Sequence, residues 1–185
     1  MNIPEVTPGS GLTLMIYASS LNAISDTAQK LGSFDLLTLL SPGHADEFLG
    51  GLSPGRHVRL TFHDIAEPTP GLTAPDSAMV SDIIAFGRDA APDRAMLVHC
   101  WAGISRSSAA TYAIVCDRNP GFEDAIAREL RRRAPSVTPN RLMVALADDL
   151  LDRRGQMVDA IAAIGRGAEA FEGEPYAMPL RWPIG

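Results

Sequence analysis

A cysteine and an arginine separated by five residues stand near the middle of the chain, in the stretch MLVHCWAGISRSS at positions 96–108. The apolar residues before Cys100 predict a strand, and the small residues after it let the backbone curl tightly into a helix. Such a curl turns successive N–H groups inward and forms a nest for an anion. Because Arg106 can grip two oxygens at once, we expect the nest to bind phosphate or sulfate.

The side chains around this nest could also do chemistry. Cys100 would lie at its floor, where the surrounding donors favour the thiolate, the form that attacks phosphorus. Ser107 can donate a hydrogen bond to the sulfur, and His99 is expected to hold the loop from behind. The substrate would be bound by the loop itself, namely Trp101, Ala102, Gly103, Ile104, Ser105 and Arg106.

The run His99 to Ser107 resembles the HCxxGxxR[ST] signature of the cysteine-dependent protein tyrosine phosphatase superfamily, and most of all its dual-specificity branch. The segment RRRAPSVTPNRLMVALADDL is similar to the R-P-x-x-x-P-N segment that follows the signature helix in dual-specificity enzymes. The resemblance implies an enzyme that hydrolyses phosphotyrosine in proteins, with phosphoserine and phosphothreonine as further substrates. It implies a phosphocysteine intermediate and no cofactor or metal.

The resemblance also implies an aspartate on a loop upstream of the cysteine, which protonates the leaving oxygen and later activates water. Asp64 ends a predicted strand 36 positions (100 minus 64) before Cys100, and a proline-rich loop follows it. We therefore assign Asp64 as the general acid. Glu67 and Asp76 are rivals, although Asp76 is better explained as the start of a helix.

Composition limits the class of protein. The chain has 185 residues, is 46 % hydrophobic and carries a net charge of −6. This length suits one domain over 1–185, and the acidic balance argues against a nucleic-acid partner. The sequence offers no apolar run long enough for a membrane span and only two cysteines, so we expect a cytoplasmic protein with free thiols.

Apolar runs alternate with helical patterns, which predicts an α/β fold with a mainly parallel central sheet of about four to five strands flanked by helices. The predicted strands cover 11–18, 34–40, 57–64 and 95–100, and the predicted helices 19–32, 76–90, 105–118, 122–134 and 139–164. Thr138 is expected to cap the last helix. The chain would begin with an irregular segment over 1–11 and end with a coil over 166–185.

Other readings of the same residues remain open. The phosphomonoester could be an inositol phosphate, a phosphoinositide or a nucleotide, although the residues between Cys100 and Arg106 include no further basic side chain. The loop could bind phosphate without catalysis, or transfer sulfur as rhodaneses do. Cys116 is expected to pack in the core, and the histidines at 44, 57 and 63 to lie on the surface or in loops.

Overall fold

The computed structural model describes residues 15–44 and 49–182, so the predicted segment 1–11 lies outside the described residues. One sheet is built from five strands: β1 (Met15–Ser20), β2 (Phe34–Leu40), β3 (His57–Thr61), β4 (Ala95–Cys100) and β5 (Tyr176–Pro179). Their order across the sheet is β3-β2-β4-β1-β5. The first four strands pair in parallel and β5 runs antiparallel to β1. The mainly parallel α/β sheet predicted from the sequence is thereby confirmed.

The strand β2 shows why the sheet forms where it does. Its sequence FDLLTLL is buried at every position, as expected of a strand between two parallel neighbours. Burying each leucine side chain contributes about 1.5–3 kcal/mol relative to leaving it exposed. Because β2 pairs in parallel with β3 and β4, the carboxyl ends of these three strands meet at one edge of the sheet.

Helices cover both faces of the sheet. The helices are α1 (Ile24–Leu31), α2 (Ser77–Arg88), α3 (Arg106–Arg118), α4 (Glu123–Arg133), α5 (Arg141–Leu150) and α6 (Gln156–Ile164). The apolar residues of α1 pack with Leu36 and Leu97, whereas those of the other five helices share a larger cluster with Leu37 and Val98. Adjacent strand residues point to opposite faces, so the two clusters lie on opposite sides. Within residues 15–44 and 49–182, none of the helices is both long and apolar enough to cross a bilayer.

The single helix predicted over 139–164 is wrong, because the structure breaks it into α5 and α6. Asp152 and Arg154 adopt positive φ angles of 50° and 55° at the break. The carboxylate of Asp148 accepts hydrogen bonds from the backbone N–H groups of Gly155 (2.6 Å) and Met157 (2.8 Å), which stabilises the start of α6. The helical periodicity of the sequence does not reveal the break, because apolar residues continue at helical spacing on both sides of it.

Two further expectations about the C-terminal half are also wrong. The segment 166–185 was expected to be a coil, but Tyr176–Pro179 forms β5, and all four of its residues are buried. A proline is tolerated there because β5 is an edge strand. The cap of α5 is Asn140, whose side chain accepts from the N–H of Met143 at 3.0 Å, and not Thr138.

Candidate active site

The loop between Cys100 and Arg106 joins the end of β4 to the start of α3, as the sequence predicts. Its tight curl depends on Gly103, which has a φ of +70°. A Cβ atom there would lie 2.7 Å from the backbone nitrogen of Ser20, so both the torsion angle and the space require glycine. The loop is thus pressed against the end of β1.

The backbone of this loop is polarised, with its carbonyl groups directed outward into the surrounding protein. The carbonyl of Trp101 accepts from the N–H of Leu21, that of Ala102 from Gly173, and that of Ile104 from Thr138, at 3.0, 2.8 and 3.1 Å. Within the described part of the chain, none of the N–H groups from 102 to 106 donates to a protein acceptor. These N–H groups are therefore available to an anion, and the positive end of α3 adds to their effect.

Cys100 lies at the floor of the loop, and its side chain is almost fully buried. Its Sγ atom is 3.2 Å from the Oγ atom of Ser107, in the first turn of α3. Ser107 is thus placed as the sequence predicts, within hydrogen-bond distance of the sulfur. The Cys100–Ser107 pair thus lies at the floor of the loop whose N–H groups would bind an anion.

Arg106 connects the loop to two other strand ends. Its Nη1 atom donates to the carbonyl of Phe62 at 2.8 Å and to the Oγ atom of Ser41 at 3.2 Å. The side chain is 4 % exposed, and its Nε atom has no hydrogen-bond partner among the described residues. A buried guanidinium with a free donor at the wall of the cleft is well suited to hold an oxyanion.

Asp64 faces the same loop from the end of β3. Its Oδ1 atom accepts hydrogen bonds from the Oγ atom of Ser105 at 2.7 Å and from the Nδ2 atom of Asn140 at 2.8 Å. Its Oδ2 atom lies 4.0 Å from the Nε atom of Arg106. The two hydrogen bonds hold the carboxyl group beside the loop between Cys100 and Arg106.

The rivals of Asp64 lie elsewhere. Asp76 caps α2, because its Oδ1 atom accepts from the N–H of Met79 at 2.8 Å. Glu67 is exposed on the loop beyond Asp64 and does not line the cleft.

A cleft of about 460 Å³ lies above the loop and brings most of the predicted site residues together. Its described lining consists of Ser41, His44, Asp64, Cys100, Trp101, Ala102, Ile104, Ser105 and Arg106. Gly103 is absent from this lining because it packs against β1. Trp101 is 47 % exposed at the mouth, and its ring meets that of His44 edge to face at 4.8 Å between centroids.

His99 is fully buried behind the loop, as expected. Its Nε2 atom lies 2.8 Å from the Oγ1 atom of Thr38 in the neighbouring strand β2. Burial lowers the pKa of His99 to about 4, so the ring is neutral at physiological pH. A neutral ring here can fix the loop without placing a second cation beside Arg106.

Sequence reasoning missed four groups around the site. Asn140, Ser41 and Thr38 hold Asp64, Arg106 and His99 respectively. The fourth is the segment before β5, where Gly173 donates to the carbonyl of Ala102 and Glu172 accepts from Ser20 and Asn22. The Pro139-Asn140 pair in TPNR could have indicated Asn140, because it precedes a strong helical pattern with an N-cap residue.

No protein-family model matches this sequence, and no curated protein matches it. Among solved structures, a mutant form of Tk-PTP has a TM-score of 0.52 at 16 % identity, over 73 % of this chain and 86 % of that one. A mouse protein classed as a dual specificity phosphatase, complexed with zinc tungstate, has a TM-score of 0.48 at 17 % identity, over 86 % and 98 %. The protein tyrosine phosphatase TbPTP1 of Trypanosoma brucei has 0.36 at 12 %, over 86 % and 72 %. The first of these similarities shows a shared fold, of the protein tyrosine phosphatase type.

Proposed function

We propose that this chain is a cysteine-dependent phosphatase that hydrolyses phosphotyrosine in proteins, with phosphoserine and phosphothreonine as further substrates. One observation carries the proposal: a single cleft is lined by Cys100, Arg106, Asp64 and most of the loop, whose N–H groups at 102–106 have no acceptor among the described residues. The fold shared with Tk-PTP supports it. A reactive thiol of this kind requires a reducing compartment, which is consistent with a cytoplasmic protein.

In the first step the thiolate of Cys100 attacks phosphorus in line with the ester bond. The S–P bond forms as the P–O bond to the leaving group breaks, and Asp64 gives its proton to the departing oxygen. The N–H groups of the loop and the guanidinium of Arg106 hold the equatorial oxygens, where charge accumulates in the transition state. The product is a phosphocysteine and a free hydroxyl group.

In the second step water attacks the phosphocysteine, and Asp64, now a carboxylate, accepts the proton of that water. The S–P bond breaks and phosphate is released. Ser107 lies 3.2 Å from the sulfur, and a hydrogen bond from its hydroxyl stabilises the thiolate that departs. One carboxyl group therefore serves as acid and then as base.

The nature of the cleft favours a substrate with one phosphate over a polyanion. Arg106 and His44 are the basic residues among its described lining, and Arg106 is already assigned to the reacting phosphate. Inositol phosphates, phosphoinositides and nucleotides carry further charge that would need additional cations. We therefore place phosphorylated protein first among the substrate classes.

The mechanism is tested by hydrolysis of two aryl phosphates, one with a good leaving group and one with a poor one. Cys100→Ser should reduce both rates to background. Asp64→Asn should lose about 10²–10⁴-fold with the poor leaving group and much less with the good one, because only the poor one needs protonation. Glu67→Gln is the matched control on the same loop and should behave as the wild type.

Each contrary result has a definite meaning. Full activity in Cys100→Ser would overturn the covalent mechanism. A normal rate for Asp64→Asn on the poor leaving group would show that another group supplies the proton. Phosphopeptide binding without turnover of any phosphoester would identify a non-catalytic phosphate-binding module instead.

A further inference from the structure

The loop that carries Asp64 leaves the core after Phe62 and returns to it at Pro75. Both of these residues are buried, whereas residues 66–72 between them are all exposed. Within the part of the chain that the structure describes, residues 66–72 hydrogen-bond only among themselves. The loop therefore depends on its two ends to hold its position relative to the cleft.

Two hydrogen bonds close the loop across its base, and both join His63 to Thr73. The backbone N–H of His63 donates to the carbonyl of Thr73 at 2.7 Å. The backbone N–H of Thr73 donates in return to the Nδ1 atom of the His63 ring at 2.9 Å. Because a backbone N–H can only donate, Nδ1 is the acceptor, and the proton of the neutral ring lies on Nε2. The direction of this bond thus fixes the tautomer of the His63 ring.

We infer that His63 is a positioning residue of the proposed phosphatase, because the bond between its ring and Thr73 holds the loop in the conformation that directs Asp64 at the cleft. His63 immediately precedes Asp64 in the chain, so any movement of the base of the loop also moves the carboxyl group of Asp64. The inference rests on the proposed function, in which Asp64 protonates the leaving oxygen.

The backbone on the other side of Asp64 is held by a second group. The Nδ2 atom of Asn140 donates to the carbonyl of Ile65 at 3.2 Å, and the same amide donates to the Oδ1 atom of Asp64 at 2.8 Å. The N–H of Ile65 donates back to the carbonyl of His63 at 3.0 Å. Asp64 is therefore held between Asn140 on one side and the contact of His63 with Thr73 on the other.

Removal of the acceptor at Nδ1 would leave one hydrogen bond across the base of the loop in place of two. The exposed loop would then populate more conformations, and only some of them present Asp64 to the leaving oxygen. Cys100, Arg106 and the N–H groups between them lie outside this loop and would keep their geometry. The loss should therefore affect only those substrates whose leaving group needs a proton.

Two substitutions of His63 separate the acceptor from the rest of the side chain. His63→Leu removes the acceptor, whereas His63→Asn offers Oδ1 at the same number of bonds from the backbone as Nδ1. On an aryl phosphate with a poor leaving group, His63→Leu should lower kcat/KM by about twofold to tenfold, the effect of one hydrogen bond. His63→Asn should restore most of this loss, and with a good leaving group both variants should match the wild type. In an Asp64→Asn background, His63→Leu should cause no further loss, because it acts through Asp64.

The contact itself is tested without turnover, by NMR of protein labelled with ¹⁵N in its imidazole rings, at about pH 8, where an ordinary imidazole is neutral. The nitrogen shifts of His63 should place the proton on Nε2, and a proton on Nδ1 would overturn the inference. A normal kcat/KM of His63→Leu on the poor leaving group, or an equal loss in the Asp64→Asn background, would also overturn it. These outcomes concern His63 alone, whereas a wild type that hydrolyses neither ester would overturn the proposed function together with the role of His63 in it.

Discussion

The two ends of α3 each carry a cysteine and an arginine, yet they are built in opposite ways. Arg106 begins the helix and Cys100 ends the strand before it, whereas Cys116 and Arg118 lie in the last turn of the helix. At the first end the N–H groups of the loop have no acceptor among the described residues, and the arginine lines a cleft. At the second end Arg118 donates to the carbonyl of Gly87, and the carbonyl of Cys116 accepts from Arg153.

Burial does not distinguish the two thiols, because Cys100 is 2 % exposed and Cys116 is 0 % exposed. Their surroundings do. Burial raises the pKa of the Cys116 thiol, and the carbonyl of the same residue accepts from Arg153 at 3.2 Å. Helix polarity provides N–H donors at one end and carbonyl groups at the other. We therefore expect a buried thiol beside a helix N-terminus to be more reactive than one beside a C-terminus.

The largest difference between the ends should appear on alkylation. Iodoacetamide should modify Cys100 and abolish activity in parallel, because only its thiol lies at an open cleft with donors nearby. Mass spectrometry of the folded protein should find Cys116 unmodified. Inorganic phosphate should slow the modification of Cys100 by occupying the loop. Modification of Cys116 at an equal rate would remove the contrast between the two ends.

The second-largest difference should be the effect on kcat/KM of replacing Arg106 or Arg118. Arg106→Lys replaces a fork that grips two oxygens by a single ammonium group, and we expect kcat/KM to fall by about 10²–10³-fold. Arg118→Lys is the matched control and should keep kcat/KM within about twofold, because its contact is with a backbone carbonyl far from the cleft. Steady-state kinetics on one aryl phosphate suffice to compare them.

Ser107→Ala should produce a smaller and more selective effect. The hydrogen bond to a departing thiolate is worth about 1.5–3 kcal/mol, so hydrolysis of the phosphocysteine should slow by about 10- to 100-fold. The first step should change less, and a burst of released alcohol should therefore precede the steady state. Rapid-quench kinetics detect the burst. Equal slowing of both steps would indicate that Ser107 shapes the loop and has no special role toward the sulfur.

Cys116→Ala should be the mildest of these changes. Its loss removes a small packed side chain from the core, and the free energy of unfolding should fall by about 1 kcal/mol. Urea denaturation measures this, and kcat/KM should stay within about twofold of the wild type. A large loss of activity with normal stability would show that the distal end of α3 is coupled to the cleft.

The parts of the site that follow from local sequence were predicted well. The strand before Cys100 and the helix after Arg106 are set by one short stretch, and the loop between them has little freedom. Asp64 was placed because it ends a strand, and parallel strands bring their carboxyl ends to one edge of a sheet. The structure brings Asp64 to the cleft, whereas its role as the acid remains a prediction.

Contacts between distant segments could not be predicted in the same way. Asn140 and Thr38 reach the site by side-chain hydrogen bonds to Asp64 and His99, across 76 and 61 positions of sequence, for which the sequence has no periodic signal. The strand β5 has four residues and ends in proline, so neither alternation nor length distinguishes it from a coil. The break after α5 depends on non-glycine residues with positive φ, which propensity does not indicate.

The contact between Gly173 and the carbonyl of Ala102 also has a consequence for the order of synthesis. The loop that holds Cys100 is translated about 70 residues before the segment that braces it, and β1 gains its second neighbour only from β5. While the chain is still emerging from the ribosome, the loop lacks this support and the sheet has an open edge at β1. The nascent protein should therefore acquire its catalytic geometry late in translation, after most of the core has already folded.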